Sequence, residues 1–162
     1  MTSDSTLTLR SESPDQPEVR ALLDSLDAYL IGLYEPDQNH LLDLASLMGK
    51  GVHFLVARQG GQAVGCGAAR MMPAEAAGGA QPYGEIKRMY VQPGSRGRRL
   101  GARLLFALES HMRGRGIVVA RLETGSRQPE ALRLYERAGY QKSLPFGGYE
   151  ANGTSLFYEK KL

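Results

Sequence analysis

The chain is short of cysteine, of histidine and of net charge, and each shortage removes a class of protein. One cysteine, Cys66, excludes an intrachain disulfide framework and any cysteine-rich zinc site. His40, His53 and His111 are scattered along the chain, a poor basis for a metal enzyme. Twenty basic against 17 acidic residues leave +3, too little to demand a nucleic-acid or membrane partner. The basic residues also lack the interleaved aromatics of nucleic-acid binders. No run approaches the ~18 consecutive apolar residues of a membrane span. The opening MTSDSTLTLR has no basic-then-apolar pattern, so no secretory signal is expected and a cytoplasmic protein is the default.

What is present suits one globular core. The 162 residues are 42% hydrophobic, and a single domain over 1–162 is expected. Thr6 to Arg10 alternates as a short strand does, and Leu22, Leu23, Leu26, Tyr29, Leu30 and Leu33 mark one face of a helix over Glu18–Tyr34. HLLDLASLM reads as a second, shorter helix ending near Gly49. Val52–Arg58 and Gln62–Met71 read as a hairpin around a Gly-Gly turn, and the small residues of its second strand imply close packing of a neighbour. Gly84–Val91 is a further strand. A helix from about Arg99 to Arg113 carries the stripe Leu100, Leu104, Leu105, Leu108, Met112. Ile117–Gly125 follows as a central strand, then a helix from Pro129 to Ala138 stopped by Gly139, then a last strand from Ser155. Strands and helices alternate only in the second half. That pattern predicts an α/β (α+β) protein with a mixed sheet and helices on its faces.

The stretch PGSRGRRLGARLL lies directly after a strand and directly before a helix. Gly94, Gly97 and Gly101 allow a backbone that turns its N–H groups into one concavity. The helix start adds unpaired donors and partial positive charge, and Arg96, Arg98 and Arg99 add full charges. These parts suit a phosphate or pyrophosphate. A solvated basic turn before an ordinary helix has the same residues. No Gly-Lys-Ser/Thr follows, and the G-x-G-x-x-G spacing is absent, so neither a Walker loop nor a dinucleotide fingerprint is present.

GEIKRMYVQPGSRGRRLGARLL, followed by RLETGSRQPEALRLYERAGYQKS, resembles the acetyl-CoA-binding core of the GNAT N-acetyltransferase superfamily. The family's Arg/Gln-x-x-Gly-x-Gly/Ala motif falls on Arg96, Gly97, Arg98, Arg99, Leu100 and Gly101, so Arg99 stands where the middle glycine belongs. Arg99 is expected to keep right-handed helical dihedrals, with its N–H toward the pyrophosphate and its side chain outward. A second motif, Asn-x-x-Ala-x-x-Leu-Tyr-x-x-x-Gly-Phe/Tyr, falls on Gln128, Ala131, Leu134, Tyr135, Gly139 and Tyr140, with Gln in place of Asn. The resemblance is specific over about residues 84–142. Its finer features (GEIKRMYV, LETG, PEAL, PFGGY) are similar to a group of small bacterial-type acetyltransferases of unassigned substrate.

The resemblance implies a mostly antiparallel sheet of six to seven strands in the acyl-CoA N-acyltransferase fold, with acetyl-CoA as co-substrate. It places the pantetheine arm along Met89, Tyr90 and Val91, and the pyrophosphate on Arg96 to Ala102, with Gln128 nearby. The acceptor is a primary amine, whose pKa near ~10.4 must be overcome before direct attack on the thioester, with no covalent enzyme intermediate. Tyr135, near the start of its helix, is implied as general acid to the departing thiolate. Glu85 matches a carboxylate that some members use as base; Glu123 and a water chain are alternatives. Each has a plainer account: Tyr135 as packing with its hydroxyl bonded elsewhere, Glu85 as an exposed carboxylate paired with a lysine.

Other side chains are weaker candidates. His40 lies where family members cover the acceptor site, although capping by Asn39 explains that spot as well. Arg88 and Tyr149 are placed toward the acceptor cleft, where Arg88 would favour a substrate carboxylate. Cys66 reads as a small buried hydrophobe, and His111, opposite most of the helix leucines, as exposed. Three functions compete: a small-molecule or peptide amine acetyltransferase, a non-catalytic CoA-binding sensor, and a basic nucleic-acid binder. Many relatives pair as dimers, which leaves a homodimer open. The sequence does not name the amine.

Overall fold

The computed structural model describes residues 6–38, 42–74 and 81–162. In chain order these form β1 (Leu7–Ser11), α1 (Pro17–Leu33), α2 (Leu44–Leu47), β2 (Val52–Gln59), β3 (Gln62–Met72), β4 (Tyr83–Val91), α3 (Leu100–Gly114), β5 (Val119–Gly125), α4 (Pro129–Arg137), β6 (Gln141–Lys142) and β7 (Ser155–Lys161). The strands make one seven-stranded sheet in the order β1-β2-β3-β4-β5-β7-β6. Only the β4–β5 pair is parallel.

Helices cover both faces of the sheet, which explains why β2 reads as an unbroken apolar run. Alternation along β2 sends Leu55 and Ala57 into the cluster under α3, and Phe54 and Val56 into the cluster under α1. On α3, Leu104, Leu105, Leu108 and Met112 are all buried against the sheet. Gly67 of β3 lets that helix approach: a Cβ there would meet Met89 and the Leu108 side chain. A third cluster joins Tyr83, Val119, Phe146 and Phe157, and it seats the segment before β7 on the sheet.

Several expectations are corrected. The second helix is only Leu44–Leu47, because the Asp43 side chain caps it by accepting from the Ser46 N–H at 2.8 Å. Residues 39–41, including His40 and the proposed cap Asn39, lie outside the described residues. His111 is half-buried and stacks flat on His53 of β2, with ring centroids 3.6 Å apart. A two-residue strand, β6, pairs with β7, and nothing so short leaves a periodic signal.

One irregularity shapes the centre of the sheet. Pairing of β3 with β4 shifts between Cys66↔Tyr90 and Ala68↔Lys87, so Arg88 and Met89 together face Gly67. Arg88 carries the turn in the left-handed region, at φ 57. On the other side, β4 pairs with β5 only from Gly84↔Ala120 to Ile86↔Leu122, although the strands continue to Val91 and Gly125. Beyond Ile86 the two strands part.

Candidate active site

A cavity of about 810 Å³ lies between the end of β4, the head of α3 and one face of α4. From β4 come Met89, Tyr90 and Val91, whose β5-facing edge has no ladder partner. From the turn and α3 come Arg96, Gly97, Arg99, Leu100, Gly101 and Ala102, and from the far side Gln128 and Tyr135. Arg98 is not on this wall.

The head of α3 differs from expectation. Arg99 is not in right-handed helical geometry; it sits at the cap with φ 56 and ψ 26, the left-handed region. The turn arrives through Gly97 at φ 90, and the helix begins only at Leu100. For a residue with a Cβ this conformation costs about 1–2 kcal/mol. No side chain caps the helix, and its first internal bond runs from the Arg103 N–H to the Arg99 carbonyl at 3.0 Å. The N–H groups of Leu100, Gly101 and Ala102 therefore have no acceptor within the helix, and they suit an anion. Arg96 braces the turn: its Nε donates to the Val91 carbonyl at 2.9 Å and its Nη1 pairs with Glu130 at 3.3 Å.

A second cavity, of about 90 Å³, shares Leu26, Met89, Gln128 and Tyr135 with the first. Its own wall includes Lys87 and Arg88 of β4, Glu123 of β5, Ser155 of β7, Leu30 of α1, and Tyr34 just past the end of that helix. Tyr135 thus stands between the two spaces. It is the seventh of nine residues in α4, well past the start of that helix. Burial, then the nearby Glu123 charge, hold its phenol well above the ordinary value of 10. Among the described residues its hydroxyl has no hydrogen-bond partner.

Glu123 is the carboxylate of the smaller cavity. The Ser155 hydroxyl donates to its Oε1 at 3.2 Å. Burial pushes its carboxyl up to about 7, against the opposing pull of Lys87. Glu85 is buried too, at 1% exposure, but it lines neither cavity. It is neither exposed nor paired mainly with lysine: Arg70 Nη2 lies at 2.9 Å, the Tyr149 hydroxyl donates at 2.5 Å, and Lys87 Nζ is 3.9 Å away. Lys87 in turn donates to the Tyr149 oxygen at 2.6 Å. Tyr149 is therefore turned to this network and is not on the wall of the smaller cavity. Arg88 is on that wall, with its guanidinium paired to Asp27 of α1. Cys66 is fully buried, and burial pushes its thiol up to about 12, which leaves it inert.

Tyr34 and Gly125, which no sequence pattern singles out, close one end of the smaller cavity. The Tyr34 hydroxyl donates to Gln128 Oε1 at 3.3 Å and accepts the Arg127 N–H at 3.0 Å. Gly125 permits this, since a Cβ there would overlap the Tyr34 hydroxyl. The carbonyl of Gln128 is thereby engaged, and it also accepts the Gly125 N–H at 3.1 Å. No local pattern announces a contact between residues 34 and 128; Lys87, by contrast, sits inside the GEIKRMYV segment already singled out.

An uncapped helix mouth beside a parted parallel strand pair offers donors for an anion and a free strand edge for an extended ligand. The acetyltransferase (GNAT) family model matches residues 19–140, and the chain belongs to that family. An IAA acetyltransferase of Azospirillum brasilense is 44% identical over 156 residues, 96% of this chain and 98% of that one. The crystal structure of a Klebsiella pneumoniae protein assigned to the acyl-CoA N-acyltransferases superposes with a TM-score of 0.77 at 37% identity, over 97% of this chain and 98% of that one. The PaiA N-acetyltransferase of Thermoplasma acidophilum, solved with coenzyme A, shares the fold at a TM-score of 0.70 and 17% identity, over 97% of this chain and 99% of that one.

Proposed function

We propose that this acetyltransferase moves the acetyl group of acetyl-CoA to the primary amine of a small polar molecule by direct attack. The observation that carries this is the placement of the Tyr135 hydroxyl, without a partner among the described residues, where an anion-receiving cavity meets a small polar one holding Glu123. The larger space takes the donor: the Leu100–Ala102 amides receive the diphosphate, and the free edge of Met89–Val91 receives the pantetheine arm as an added strand. The smaller space takes the amine. At about 90 Å³ it suits a compact amine group.

Glu123 is the base in this mechanism. A carboxyl held at about 7 accepts a proton from an ammonium far better than an ordinary carboxylate does. The freed amine forms the C–N bond, the C–S bond breaks, and the electron pair leaves on sulfur. Tyr135 donates its O–H to that sulfur as charge develops there, and the nitrogen then gives up its surplus proton to the phenolate left on Tyr135. Because its phenol is held above the ordinary range, it stays a donor throughout the working range of pH. Glu85 keeps Arg70, Tyr149 and Lys87 in place behind the cavity, a positioning role.

The test is acetyl-CoA binding by calorimetry, followed by thiol release across a panel of small amines. Tyr135→Phe should lower kcat by about 100-fold or more and leave the CoA affinity within about twofold. A protein that does not bind acetyl-CoA overturns the proposal. Equal rates in the variant remove Tyr135 from the chemistry.

A further inference from the structure

The larger cavity holds more positive charge than a diphosphate requires. Arg133 and Arg137, four residues apart on α4, line it from one side, and Arg99 lines it from the head of α3. Of the guanidiniums on this wall, Arg96 already has Glu130. Glu136, the other carboxylate of α4, accepts instead from the Tyr158 hydroxyl at 3.0 Å. Among the described residues, the side chains of Arg99, Arg133 and Arg137 have neither an ion pair nor a hydrogen bond. With the helix terminus counted as about half a charge, the wall presents roughly +3.5. A diphosphate diester brings about two negative charges, one per phosphorus, and a terminal phosphate monoester about 1.5 to 2 more.

We propose that Arg133 and Arg137, with Arg99, form a second anion subsite that takes the 3′-phosphate of coenzyme A. The subsite makes this enzyme selective for CoA thioesters over donors that end at the pantetheine phosphate or at dephospho-CoA. Guanidinium forks match the three oxygens of a phosphate monoester, and two on successive turns of one helix can grip it from one side. Both α4 arginines are exposed, so the subsite costs little to desolvate and its grip weakens with salt.

The inference rests on the acetyl-CoA proposal, and the experiment separates the two. Dissociation constants for CoA and 3′-dephospho-CoA are measured by calorimetry on the wild type and on an Arg133→Gln/Arg137→Gln variant. The wild type should bind CoA about tenfold or more tightly than dephospho-CoA, as expected for loss of charge-assisted bonds to one phosphate. The variant should bind the two within about twofold of each other, with its affinity for dephospho-CoA unchanged. Circular dichroism and an unchanged melting temperature establish that the variant is folded. Equal binding of both ligands by the wild type overturns the subsite and leaves the transferase proposal standing. So does equal weakening of both ligands in the variant, the mark of a general field. If the wild type binds neither ligand, the acetyl-CoA proposal falls, and the subsite with it.

Discussion

Glu85 and Glu123 face different surroundings on neighbouring strands. Glu85 has a guanidinium, a phenol and an ammonium around it, whereas Glu123 has one hydroxyl donor and the more distant Lys87 charge, too little to offset its burial. The same side chain therefore serves as an anchor in one place and as a proton acceptor in the other. With Glu123 as base, the ionised form is active, so kcat/KM should rise with pH through about 7 and then level off. Glu123→Gln should lower the rate and abolish that limb. Folding stability should move in the opposite sense. The folded carboxyl sits above its ordinary 4.5, so the penalty for ionising it is absent below that value, grows as pH rises, and is complete above about 7. Glu123→Gln should then stabilise the fold by about 2 kcal/mol at pH 8 and by almost nothing near pH 4. A variant that keeps the wild-type limb assigns the limb to another group.

Among the elements, α3 joins what the sequence makes plain to what it hides. Its leucine stripe and glycine-rich head are local patterns, legible at a spacing of three and four residues. So is the register that puts Tyr135 on α4. The left-handed backbone at Arg99 is not legible, because nothing in Arg-Arg-Leu-Gly distinguishes a helix that starts at 99 from one that starts at 100. Nor is Glu109, which looks like a solvated helix residue in sequence. In the fold it is 2% exposed, accepting from the Tyr140 hydroxyl and from Lys160 Nζ, each at 2.9 Å. Those partners lie 31 and 51 residues further along, beyond any window that periodicity scans. Glu109 thus ties α3 to the turn after α4 and to β7. Glu109→Ala should cost about 3 kcal/mol, since it strands a buried phenol and a largely covered ammonium. A denaturant midpoint within about 0.5 kcal/mol of wild type would mean that solvent satisfies both partners.

At the scale of the whole molecule, the site is a product of sheet topology. A parallel pair inside an otherwise antiparallel sheet separates after three residue pairs, and the bulge at Arg88 turns β4 away from β5. The half of β4 beyond Ile86 is an interior edge without a partner strand. Amide exchange should report it: the β5-facing N–H groups of 89–91 should exchange freely alone and slow sharply with acetyl-CoA, while Gly84–Ile86 stays protected throughout. No change on saturation would mean that the donor does not lie along that edge. The element order and the two-faced core are readable from alternation and helical stripes. The parting of the strands is not, because the residues on either side of Ile86 are equally strand-like. The parted strands also divide the chain's inheritance. The helix mouth and the arginine wall come from residues 96–137, whereas Leu30, Tyr34 and Gln38 near one end of the sequence and Thr154 and Ser155 near the other line the small cavity alone. Mutations that reshape the amine pocket can therefore accumulate in those outer segments without disturbing the donor grip, so one scaffold can be passed from acceptor to acceptor across a lineage.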